Sequence, residues 1–276
     1  MPKKNLSSAI QTGPLSVGNV VSASLRIYRD HFKSYFGLAF VAYLWLLVPI
    51  YGWAKYSAIA ALISRLAFGE VRENPETVSD ARREVNPRMW SFFWAGTLAS
   101  LIFLGVSVVG AIAITILGGG AAAIFRENYL IIGALVAVAV IAFLIIYIRI
   151  ISRLLIVELP LAMENDVSSS SAIGRSWELT KGSVGRIQWI VFVGILVSLP
   201  ITIFVPGIFG AIVGSILTTF LDPTSGIFLI VSNLLTLPVS FGSSALLLPF
   251  WQAIKAVVYY DLRSRKEGLG LQMRDR

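Results

Sequence analysis

The stretch Leu130-Ile-Ile-Gly-Ala-Leu-Val-Ala-Val-Ala-Val-Ile-Ala-Phe-Leu-Ile-Ile-Tyr-Ile148 decides the class of this chain. It carries no charge, and its apolar side chains point all round rather than to one face. About 20 such residues cross the hydrocarbon core of a bilayer as a helix. A barrel strand would alternate apolar and polar at period two, and nothing here alternates. In lipid every backbone N–H and C=O must be bonded inside a helix or a closed barrel, so the segment reads as a transmembrane helix.

Similar runs recur on both sides of it. The predicted spans are 35–53, 56–68, 90–117, 130–157, 187–205 and 228–260, and the fold class is an all-α integral membrane protein forming a single polytopic domain over 1–276. Composition agrees. Hydrophobic residues make up 56%, charged residues 14%, and the mean hydropathy is +0.78, whereas a soluble domain carries about 25% charged residues to cover its surface. The span at 56–68 is short, and Lys55 and Arg65 would have to stretch toward the nearer interface. Pro200 and Pro206-Gly207 interrupt the fifth span, so 208–221 either continues it after a bend or forms a re-entrant segment. The last span holds Pro238 and Pro249, and eight shorter crossings would keep the same parity. Gly118-Gly119-Gly120 reads as a flexible turn on the non-basic side.

Charge placement orients the spans. One side receives Lys3, Lys4, Arg26, Arg29 and Lys33, then Arg72, Arg82, Arg83 and Arg88, then Arg175, Lys181 and Arg186, then Arg263, Arg265, Lys266, Arg274 and Arg276; the other receives Lys55 and Arg126. Lys and Arg gather in cytoplasmic loops, so both termini, including the basic tail 261–276, are expected in the cytoplasm. The membrane is read as the bacterial cytoplasmic membrane or another internal one. Lys3 and Lys4 have no apolar stretch behind them, which predicts no cleaved leader.

Three amphipathic helices are expected to lie on the cytoplasmic surface, near 17–33, 75–86 and 169–182. In the first, Val17, Val21, Leu25, Tyr28 and Phe32 form a stripe at helical spacing. In the second, Asn74 suits a cap, Pro75 the first helical position and Glu76 the positive dipole end, with Val78, Ala81 and Val85 as its stripe. A serine stands four residues before an arginine in Ser22-Ala-Ser-Leu-Arg26, Ser79-Asp-Ala-Arg-Arg83 and Ser171-Ala-Ile-Gly-Arg175, and Ile63-Ser-Arg-Leu66 recurs as Ile151-Ser-Arg-Leu154. The pattern suggests three units, each a surface helix followed by two spans.

Arg175-Ser-Trp-Glu-Leu-Thr-Lys-Gly182 and the ending Ala256-Val-Val-Tyr-Tyr-Asp-Leu-Arg-Ser-Arg-Lys-Glu-Gly268 resemble the bacterial membrane domain that in some proteins precedes a glycerophosphoryl diester phosphodiesterase domain, and its stand-alone relatives. The likeness covers about 158–268. It implies a multi-span helical domain and not the phosphodiesterase activity, because the family's catalytic barrel is a separate soluble domain and no stretch here remains to build it.

Reactive groups are scarce. There is no cysteine and His31 is the single histidine, so no catalytic residue, metal site or cofactor is assigned and the chain reads as non-enzymatic. Charges inside spans are costly and face a protein interior or an interface. Arg65, Arg149, Arg153 and Lys255 could converge into a basic pocket for phosphate or an anionic headgroup, or each could reach the headgroups separately. Arg26, Arg29, Arg83, Arg175, Lys181 and Arg263 are the expected membrane-surface contacts. No Asp or Glu lies deep in a span; Glu158 and Asp261 sit at cytoplasmic ends, within reach of Arg153, Lys255 or Arg265. The leading function is therefore a membrane module that binds anionic lipid, or a membrane-protein partner or second copy, through a basic cytoplasmic face, with no nucleic acid involved. A transporter or channel for a small or lipid-like solute is the alternative.

Overall fold

The computed structural model describes residues 15–126 and 128–268, which fold as helices joined by short turns, with no strand among the described residues. Lys3, Lys4, Arg274 and Arg276 lie outside the described residues. The chain opens with α1 (Val17–Asp30), α2 (Phe32–Trp45) and α3 (Tyr51–Val71), then α4 (Val78–Val85), α5 (Met89–Phe125) and α6 (Tyr129–Leu154). A short α7 (Glu158–Met163) leads to α8 (Ser169–Thr180), α9 (Val184–Leu199), α10 (Val205–Leu217) and α11 (Gly226–Lys266). Side chains cap several starts: Ser16 accepts from Asn19 N, Ser168 and Ser171 bond reciprocally, and Ser225 accepts from Phe228 N, each satisfying a backbone donor that the first helical turn leaves free.

Four helical stretches, Val78–Phe125, Tyr129–Met163, Val184–Leu217 and Gly226–Lys266, are long and apolar enough to cross a membrane. They contain the spans expected at 90–117, 130–157, 187–205 and 228–260. The two expected at 35–53 and 56–68 correspond to α2, of 14 residues, and α3, of 21. These fall outside the four.

Helices α3, α5, α6, α9–α10 and α11 pack in succession into a ring, with α11 closing back on α3. Trp251 of α11 lies against Gly194 of α9. α2 packs outside α3 and α11, and α1 lies across α9 and α11. The end of the ring that carries the arginines and lysines is closed by α7, where Leu159 and Leu161 are fully buried. Burial is concentrated in that half. Further out the helices expose Leu104, Val109, Ile116, Val138, Ile212 and Leu234, a surface unfavourable against water and neutral against acyl chains.

Several local expectations are overturned. Gly118, Gly119 and Gly120 do not turn; α5 runs through them to Phe125, and the chain reverses at Arg126, whose φ is 42°. A glycine costs a helix about 1 kcal/mol, less than backbone groups left unbonded in lipid. Pro238 and Pro249 likewise lie inside one continuous α11. Of the two readings of 208–221, the continuation holds: residues 205–217 follow α9 through one wide turn at Pro200–Phe204. Asn74 does not cap α4: its N–H closes the preceding turn on Gly69 O at 3.0 Å, Pro75 stays outside the helix, and Thr77 is the cap, accepting from Asp80 N at 3.2 Å. Glu76 is drawn to Arg65 instead. In α1 the buried face is Val20, Val21, Ala23, Ser24 and Ile27, whereas Leu25, and Phe32 at the start of α2, are exposed, so the stripe expected from 17 to 32 is not the face that packs.

Candidate functional site

A cavity of about 260 Å³ lies inside the ring. Its space exists because small residues meet there. Ala95, Gly96 and Ala99 follow Phe92 at helical spacing on α5, and Ala60 faces them from α3. A Cβ placed on Gly96 would meet nothing within 4 Å. Leu154, Leu155 and Leu248 complete an apolar wall. Tyr56 and Ser57 of α3 also line it, and toward the basic end the lining becomes charged, with Glu158 and Lys255 beside Gln252.

That polar end is tightly bonded. Lys255 Nζ lies 3.2 Å from Glu158 Oε2, the other Glu158 oxygen accepts from the Ser64 hydroxyl, and Ser64 Oγ lies 3.0 Å from the Gln252 amide. A hydroxyl has one proton, so with that proton on Glu158 the amide of Gln252 must turn its Nε2 toward Ser64. Ser64 and Gln252 are fully buried, while the Glu158 and Lys255 side chains keep 21% and 22% of their surface, the part that faces the cavity. The ion pair is thus sheltered, with the Glu158 carboxylate also held by the neutral Ser64 hydroxyl. Glu158, expected at a cytoplasmic span end within reach of Lys255, opens the short α7 and pairs with that lysine there.

Of the two readings of the four cations, a shared pocket or separate placement, the structure shows the second. Lys255 lines the cavity. Arg65, one residue past Ser64 and therefore about 100° around α3, turns outward to Glu76 at 2.7 Å and to Ala162 O at 2.7 Å. Arg153 lies over the Trp177 ring, 4.8 Å from its centre, and donates to Trp177 O. Arg149 is exposed on α6. Glu158 pairs with Lys255 and not with Arg153, which α8 has taken.

The expected surface cations also divide. Arg26, Arg29, Arg83 and Lys181 are exposed, Arg29 pairing with the adjacent Asp30. Arg175 and Arg263 are consumed by a network that ties α8 to α11: Arg175 reaches Glu164, Glu178 and Glu267, and Arg263 reaches Glu267 at 2.7 Å. Tyr259 donates to Glu164 at 2.7 Å within it. Partial burial pushes the Glu267 carboxyl up, but the guanidiniums of Arg263 and Arg175 outweigh it and hold the group below the usual carboxylate range. On the neighbouring face Asp261, 1% exposed, accepts from Leu15 N, Arg186 and Arg265. His31 contacts Glu70 at 3.3 Å.

No family model, curated protein or solved structure matches the chain. The likeness carried by residues 175–182 and 256–268 therefore stands on those residues alone.

Ser64 and Gln252 escaped the reading of the sequence, although both are polar residues in apolar surroundings, and so did the small-residue face of α5. Among the described residues no group of three or more His, Asp or Glu is placed to hold a metal ion. What the site offers chemically is a hydrogen-bonding, charge-balanced end below an apolar chamber.

Proposed function

We propose that this chain is a non-enzymatic multi-pass membrane protein that holds a lipid or lipid-like amphiphile in the cavity of its helical ring, with its basic end toward the cytoplasm. The observation that carries the reading is the cavity itself, about 260 Å³, with a largely apolar wall, the Tyr56 and Ser57 hydroxyls on α3, and a charged end at Glu158, Gln252 and Lys255. Binding sites of this kind combine an apolar lining with a few orienting polar groups. The orientation rests on the gathering of Lys and Arg at one end, where Arg26, Arg83 and Lys181 are exposed to meet anionic headgroups. Four helices cross, and the α2–α3 pair enters from the basic side and turns back within the apolar layer; six full crossings are the alternative. The resemblance to the phosphodiesterase-associated membrane domain supports a membrane module and adds no catalytic role.

The test is native mass spectrometry of the full chain released from nanodiscs made of its host lipids. A retained lipid that disappears in Gly96→Leu, which fills the cavity, supports the reading; retention unaffected by that substitution sinks it. The wide turn at Pro200–Phe204 within α9–α10 favours one second reading, passage of the ligand through the ring, since such turns accompany functional sites in helices. Flux of a lipid or small solute in proteoliposomes, absent in Gly96→Leu, would establish transport.

A further inference from the structure

We infer that the amphiphile held in the ring has a zwitterionic head bearing an ammonium and a phosphate, and not the anionic head suggested by the basic charge of the chain. This rests on the reading of the cavity as a lipid site. The cavity meets the head with a matched pair: Lys255 Nζ and Glu158 Oε2 are 3.2 Å apart, and Arg65, Arg149 and Arg153 add no further cation there. Each charge is about four-fifths buried, so the cost of leaving either unpaired is large.

Three kinds of head can be compared on that basis. An anionic head could share Lys255 with Glu158, since the ammonium has three N–H groups and uses one on Glu158, but one cation would then stand between two sheltered anions with nothing to balance the second. An uncharged head would leave the pair intact and gain ordinary hydrogen bonds. A zwitterionic head can enter between the partners, its phosphate to Lys255 and its ammonium to Glu158, so each protein charge exchanges one opposite charge for another. Ser64 holds the second Glu158 oxygen from behind and keeps the carboxylate in place during the exchange. Gln252 adds a neutral hydrogen-bonding group at the same end of the cavity. The apolar wall of Ala99, Leu154 and Leu248 suits the glycerol and first methylenes of the acyl chains, the rest of which lie outside a cavity of about 260 Å³, and this commits the head to a lipid and not to a free phosphoamine.

The experiment incubates the purified full chain with equal amounts of phosphatidylethanolamine, phosphatidylglycerol and diacylglycerol and counts retained lipid by native mass spectrometry. We expect phosphatidylethanolamine to be retained about tenfold or more over phosphatidylglycerol. Glu158→Gln should reverse that order, because Lys255 is then uncompensated. If Glu158→Gln does not fold, Lys255→Gln gives the mirror reading, a gain for cationic amphiphiles over phosphatidylethanolamine. Equal or better retention of phosphatidylglycerol or diacylglycerol by the unaltered chain would overturn the inference, as would displacement of the lipid by soluble glycerophosphoethanolamine at equal concentration. Gly96→Leu separates the two levels. If it lowers every lipid alike and the unaltered chain shows no headgroup preference, only the inference fails; if it lowers none, the cavity reading fails with it.

Discussion

Replacing Gly52 by alanine should unseat the α2–α3 turn, while the same change at Gly37, in the same helical pair, should do no harm. A Cβ on Gly52 would lie 1.8 Å from the carbonyl oxygen of Trp45 and 3.0 Å from Cβ of Val48. The obstacle is backbone, so no rotamer change relieves it, and the ends of α2 and α3 must separate by more than an ångström. Forcing extra volume into a packed site costs about 1–3 kcal/mol. The move also stretches the 3.0 Å bond from Gly52 N to Val48 O, worth about 1 kcal/mol. The loss should therefore total roughly 2–4 kcal/mol, or about 5–15 °C in an apparent midpoint at the few degrees per kcal/mol expected for a chain of this size. At Gly37 a Cβ meets nothing within 4 Å, and the gain in helix propensity stabilises by up to about 1 kcal/mol. Thermal unfolding in one detergent at one scan rate, followed by size-exclusion fluorescence, compares them. Equal midpoints for Gly52→Ala and Gly37→Ala would refute the argument that close backbone approach holds this turn.

Other consequences concern the basic end. Asp261→Asn should cost about 3 kcal/mol, because Arg186 and Arg265 lose the nearly fully buried carboxylate that pairs them; a thermal midpoint within 1 °C of the unaltered chain would contradict this. The Glu267 carboxyl, held below its ordinary range in the folded chain, contributes stability above its unfolded pKa of about 4.3 and surrenders it as pH falls through its lower folded value. The protection factors of α8 amides, exchange rates divided into their intrinsic values at each pH, should therefore fall between about pH 5 and pH 3, and less so in Glu267→Gln; the same fall in both would detach the effect from this residue.

The parts of this fold that could be read from the sequence depend on energy terms that act along the chain. A run such as 130–148 needs no partner to prefer lipid, and Ser168 or Ser225 caps the helix that follows it wherever that helix packs. The α2–α3 turn was hidden because Leu46-Leu47-Val48-Pro49-Ile50 is as oily as the helices it joins, so hydropathy continues through it. Its polar groups are met internally instead, including Trp53 Nε1 on Leu46 O at 3.3 Å. Gly118–Gly120 misled in the opposite sense, since glycine marks turns in water but is carried within a helix where no water competes. The cavity was out of reach for a different reason. It depends on Ala60 of α3 meeting Ala95, Gly96 and Ala99 of α5, and on a six-residue helix, α7, placing Glu158 beside Lys255 across 97 positions of chain.

The depth of the α2–α3 turn decides how many times the chain crosses. Tyr43 of α2 lies 5.8 Å from Phe241 of α11, ring to ring, and 5.4 Å from Tyr56 of α3, so these residues share a level. From there α11 runs back to Gly226, roughly 22 Å further at 1.5 Å per residue. The turn at residues 46–50 reaches less than about 10 Å past Tyr43. If the start of α11 reaches the far surface, the turn stops roughly 12 Å short of it, inside an apolar layer of about 30 Å. Lys55 resists this placement; its ammonium lies 5.6 Å from the Tyr51 ring centre, a contact that offsets part of the cost of depth. Cysteine at Leu47 should accordingly stay unlabelled by a membrane-impermeant maleimide from either side of sealed vesicles, while cysteine at Thr224 is labelled from the far side. Labelling of both from the far side would put the turn outside and raise the count to six crossings.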